Sequence, residues 1–148
     1  MTKNIIALFC SFWLALSYVF AQPDKISGFY KGYITQNTGG LADKYLMELS
    51  ISIDKKGKVI GTSFFKIFDS EEMIVRYSLK GNLKKNTLIL EEISIDESKI
   101  KEGYYFCIKK MTLQVEKKEF DYFLQGSWTA DNCPSIFGEI FLKKEEVF

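Results

Sequence analysis

Apolar and polar residues alternate with a period of two through most of the chain after residue 25, the spacing of strands with one buried face. The clearest run is Lys44 to Asp54, where Met47, Leu49, Ile51 and Ile53 share one face and Glu48, Ser50 and Ser52 the other. Met73 to Lys84 repeats it, with Met73, Val75, Tyr77 and Leu79 opposite Arg76, Ser78 and Lys80. Further runs are Ile26 to Gln36, Lys58 to Phe68 (apolar on both faces at Phe64 and Phe65), Thr87 to Ile95, and three within Gly103 to Leu142. In that last stretch Phe120, Tyr122, Leu124, Gly126 and Trp128 make one inward row. Cys107 falls on the strand before it and Cys133 in the loop after it. The pattern predicts eight strands and no helix.

The connections carry turn chemistry: Asn37 to Gly40, Asp54 to Gly57, the acidic Asp69 to Glu72, and Lys84 to Asn86. Gly57 supplies the positive φ that a tight hairpin needs. A polar connection, Asp96 to Gly103, leads into the last three strands. Gly32, Gly61, Gly81, Gly126 and Gly138 all fall inside predicted strands, which points to repeated bends in a strongly curved sheet. Short connections between successive strands make an antiparallel meander, and closing it removes the exposed edges. The expected fold is all-β, an eight-stranded antiparallel up-and-down barrel, with a two-sheet sandwich as the alternative.

The first 21 residues stand apart. Lys3 precedes an apolar run from Ile5 to Leu16, and Val19-Phe20-Ala21 suits a cleavage site. This reads as a signal peptide, leaving residues 22–148 as one exported domain destined for periplasm, cell surface or exterior. The run is short for an uncleaved membrane anchor, and Cys10 lacks the small residues of a lipoprotein site. The mature chain is then expected to hold no transmembrane segment.

Composition narrows the function classes. The chain has 20 basic and 19 acidic residues, and Lys3 is the only charged residue of the leader, so the mature chain is formally neutral. Nucleic acid and anionic membrane normally demand a basic excess and are not expected partners. There is no His, which removes the commonest general base and metal ligand. No catalytic residue, metal site or cofactor is indicated.

In layout the mature chain resembles the lipocalin-like, or calycin, group of small secreted barrels. Gly28-Phe29-Tyr30 stands where lipocalins carry a Gly-x-Trp signature in the first strand, and Gly126-Ser127-Trp128 and the cysteine pair lie in the late strands. Tyr30 replaces the Trp, and only Lys143 and Lys144 stand where an Arg closes the last strand. The helix that follows the lipocalin barrel is missing. The resemblance implies a barrel fold and an interior that holds a small apolar ligand.

A few residues bear on chemistry. In an exported chain Cys107 and Cys133 are expected to pair, two free buried thiols being the alternative. Their separation suits a structural bond and not redox catalysis. Trp128 shares its row with Leu124 and should point inward, as core filler or, with Tyr77 and Leu124, as ligand wall. Arg76, the only Arg, is expected on the surface, solvated or paired across strands. Glu91-Glu92 interrupts an apolar strand, so one carboxylate must share a face with Ile89, Ile93 and Ile95 or with Leu88 and Leu90. Burying it unpaired would be costly, so a bulge or a wet barrel mouth is expected there in preference to an acid of the glycosidase kind.

Two function classes follow, both non-enzymatic. One is a carrier barrel holding a small apolar ligand. The other is a cell-envelope structural or inhibitor-like interaction module with a filled core. A membrane-spanning barrel fits less well, because Lys144 and Glu146 fall in the row of Phe148. A pocket of a few hundred Å³ favours the carrier and a filled interior the module.

Overall fold

A computed structural model describes residues 22–146. The expected signal peptide lies outside the described residues. One short helix, α1 (Pro23–Ile26), precedes eight strands. These are β1 (Gly28–Thr35), β2 (Lys44–Ile53), β3 (Lys58–Ile67), β4 (Ile74–Lys84), β5 (Thr87–Lys99), β6 (Lys109–Lys118), β7 (Asp121–Ala130) and β8 (Phe137–Lys144). Each pairs antiparallel with the next, and β1 pairs with β8 to close an up-and-down barrel. Among the described residues no helix is long and apolar enough to cross a membrane.

The alternation of the sequence is the alternation of the wall. Met47, Leu49, Ile51 and Ile53 on β2 and Val75, Tyr77 and Leu79 on β4 point inward and are buried. Arg76 lies outside, 3.5 Å from Glu97 and over the ring of Phe64, as a cross-strand surface charge should. All five mid-strand glycines face backbone of an adjoining strand so closely that a side chain would collide with it. Gly126, for example, meets the carbonyl of Thr112, so the sheet coils tightly there.

Three expectations need correction. Phe120 does not belong to the inward row: it sits in the β6–β7 turn beside Glu119 (φ 56°) and is 93% exposed. Cys107 is not a strand residue, because β6 begins only at Lys109. The short helix α1 was not expected from the alternation, which a single turn is too brief to reveal.

One end of the barrel is plugged. Ile26 of α1 is buried against the core, and the Tyr30 hydroxyl donates to its carbonyl at 2.6 Å. The Ile53 amide donates to Ser27 Oγ, which itself donates to Pro23 O, tying the plug to the end of β2. Above it Met47, Leu49, Leu90, Met111, Leu113, Leu124, Ile140 and Leu142 fill the lower interior.

The wall is irregular between β5 and β6. Their ladder runs from Thr87 to Glu91 and stops at Glu91 opposite Lys110. Register shifts against β4 leave Ile93 and Asp96 as extra residues on β5, so its last residues diverge from β6. The segment after β5 bridges the gap and is held by side chains. Asn132 accepts from the Ile108 amide and donates to the Phe106 carbonyl, both at 2.9 Å. Beside it Cys107 and Cys133 form a disulfide with Cα atoms 5.7 Å apart.

Candidate ligand site

The open end is ringed by the β1–β2, β3–β4, β5–β6 and β7–β8 connections, and the interior there is not filled. A cup of about 260 Å³, half-open to solvent, lies between Ile34, Leu41, Phe65, Met73, Val75, Trp128 and the segment from Gly103 to Cys107. Among the described residues Lys109 is the only charged one on its walls.

Lys109 is at the cup's base because β6 alternates Lys109, Met111, Leu113 and Val115 along its inward face. Glu92 continues the inward row of Leu88 and Leu90 and ends at the same level. Its side chain is fully buried, and that of Lys109 is 10% exposed. The carboxylate accepts from Ser63 Oγ and the Lys109 amide, both at 2.8 Å, and from Lys109 Nζ at 3.3 Å. The Lys109 amide is the next donor after the β5–β6 ladder stops, so Glu92 takes the place of a missing strand partner. The expected bulge follows directly, at Ile93. The carboxylate itself is enclosed and paired instead of wet.

Burial pushes the Glu92 carboxyl up, against the pull of Lys109 and its hydrogen-bond donors. Burial likewise pushes the Lys109 ammonium down, against the pull of Glu92. Nζ also donates to the Cys107 carbonyl at 3.0 Å. It lies 4.2 Å from the ring centre of Phe65 and 4.7 Å from that of Tyr77, an aromatic seat that suits a cation. Desolvation, with Glu92 adding to it, raises the Tyr77 phenol above its usual range.

Of the three residues expected on a ligand wall, the structure brings Trp128 to the cup, its indole N–H donating to the Thr35 carbonyl at 2.9 Å. Tyr77 stands beside Lys109 and donates to the Cys107 carbonyl at 3.2 Å, while Leu124 is in the filled interior; neither lines the cup. Lys109 was not singled out from the sequence. Its parity with Met111 and Leu113 was the signal, obscured by a predicted strand that began too early.

A second depression, of about 550 Å³, lies at the plugged end. Lys25, Asp121, Lys144, Glu145 and Glu146 border it together with Phe29, Phe120 and Tyr122, so charges and aromatic rings share its rim. Compared with known proteins, the chain matches no family model, no curated protein and no solved structure.

Proposed function

We propose that the protein is an exported, non-enzymatic carrier barrel of lipocalin-like type that holds one small apolar ligand in the cup at its open end. The observation that carries this reading is the cup itself, an apolar hollow of about 260 Å³ above an otherwise packed interior. A dry cavity of about 150 Å³ holds benzene, so the space suits a compact molecule and not a long lipid chain. Glu92 does not reach the cup surface, which leaves its carboxyl without access to a substrate. The disulfide is compatible with an oxidising compartment and therefore with export.

Titrating the mature protein with small apolar compounds tests the reading. With the leader removed Trp128 is the only Trp, so its emission reports on the cup. Saturable change in that emission, with a rise in thermal stability of about 2.7 kcal/mol at a hundredfold excess over Kd, is expected. A flat titration across the set rejects the carrier. The aromatic rim, where Tyr105 is 69% exposed and Phe137 is also exposed, favours a second reading as an interaction module. In that case a protein partner binds and Tyr105→Ala weakens it while the cup stays empty.

A further inference from the structure

We propose that the cup selects an uncharged monocyclic aromatic molecule bearing a carbonyl oxygen, which accepts the third N–H of the Lys109 ammonium. This rests on the carrier reading and adds the ligand's chemistry to it.

Three observations lead there. The first is donor capacity. An ammonium has three N–H groups, and among the described residues Lys109 hydrogen-bonds two acceptors, Glu92 and the Cys107 carbonyl, which leaves its third N–H only the neighbouring aromatic rings of Phe65, Tyr77 and Trp128. The Tyr45 hydroxyl, also on the cup wall, accepts from the Leu41 and Ala42 amides and keeps its own proton to donate. The Trp128 N–H is already committed to Thr35. Lys109 and Tyr45 thus bring N–H and O–H donors to the cup, and an acceptor atom on the ligand complements them.

The second is charge. Glu92 already balances Lys109, and both side chains are buried. A carboxylate ligand reaching Lys109 would place an additional negative charge beside Glu92 at the buried base of the cup, at a cost in repulsion and desolvation. A carbonyl oxygen accepts the same hydrogen bond without adding charge. The third is shape: the small volume, with the aromatic side chains of Phe65 and Trp128 among its walls, suits one flat ring.

Calorimetric titration of the mature protein with acetophenone, ethylbenzene and benzoate tests the proposal. Ethylbenzene has nearly the shape of acetophenone without its oxygen, and benzoate adds the charge. Acetophenone is expected to bind about tenfold more tightly than ethylbenzene, as one hydrogen bond to a charged donor allows. Benzoate should bind most weakly. In the double variant Glu92→Gln/Lys109→Met, with folding checked by its thermal transition, the ratio of acetophenone to ethylbenzene affinity should fall to about one. In the wild-type protein acetophenone, and not ethylbenzene, should shift the Lys109 ammonium resonance, a readout independent of the variant's folding. Equal binding of acetophenone and ethylbenzene, or a preference that survives the double variant, overturns the proposal and leaves the carrier reading standing. Tightest binding by benzoate overturns the uncharged ligand. If none of the three binds, the proposal falls, and the carrier reading is decided separately by the wider titration with small apolar compounds.

Discussion

The indole N–H of Trp128 reaches past β8 to the carbonyl of Thr35, at 2.9 Å, joining the ends of β7 and β1 at the rim of the cup. Gly138 of β8 lies between them, where a side chain would meet both groups. Trp128→Phe keeps an aromatic ring but removes the bond, and should cost about 0.5–1.5 kcal/mol. Gly138→Ala should cost more, about 1–3 kcal/mol, since the obstacle is backbone and cannot turn aside. Denaturant unfolding followed by circular dichroism ranks the two. A harmless Gly138→Ala would mean that β8 need not pass so close.

The Glu92–Lys109 pair predicts opposite outcomes for one change and for two. Lys109→Met leaves a buried carboxylate without its cation and should destabilise by about 3–5 kcal/mol. Adding Glu92→Gln should restore stability to the wild-type level or above it near neutral pH. Calorimetric unfolding of both variants decides this.

The same pair sets a pH dependence. Because burial raises Glu92, folding favours its protonated form; that contribution is complete below the ordinary value of about 4.5 and is lost as pH rises through the raised value. Because burial lowers Lys109, its contribution is complete above the ordinary value of about 10.5 and is lost as pH falls through the lowered value. Between those windows both charges are held against their burial. Any Tm advantage of the double variant over wild type should therefore be largest near neutrality and shrink towards pH 4. An advantage that grows in acid would contradict the direction assigned to Glu92.

Cys107 and Cys133 anchor the segment that bridges β5 and β6, and that segment forms one wall of the cup. Cys107→Ser should cost about 2–4 kcal/mol and also weaken any cup ligand. Asn132→Ala removes the neighbouring tether and should weaken the ligand with a smaller loss of stability. Binding that survives both changes would show that the wall stands without them.

The strands and the closed meander were legible because inward rows such as Met47 to Ile53 and Met73 to Leu79 are regular. Turn residues such as Gly57 (φ 81°) mark where the chain reverses. The cysteine pair was legible from its count and spacing. Where the reading failed, a local rule had been displaced by a tertiary one. The segment from Gly103 to Ile108 looks like a strand, but β5 has bulged away and Asn132 and Cys133 hold it as a loop. Glu92 looks like an interruption of an apolar strand until Lys109, which lies beyond the intervening loop, is placed beside it. Alternation along one strand says which way a residue points. It does not say which residue of another strand stands at the same height.

The meander has a consequence for the order in which the barrel assembles. Every ladder joins strands adjacent in sequence except β1–β8, which sets Gly32 opposite Leu142. Closing so long a loop costs entropy before any contact repays it, so this seam should form after the transition state. Ile140→Val should then mainly speed unfolding, whereas Leu79→Ala in the local β4–β5 hairpin should slow folding, as stopped-flow measurements would show. A seam that zips last also parts first. Ile34, paired with Ile140, carries that seam into the wall of the cup, so an occupant of the cup would bear directly on the first step of the barrel's opening.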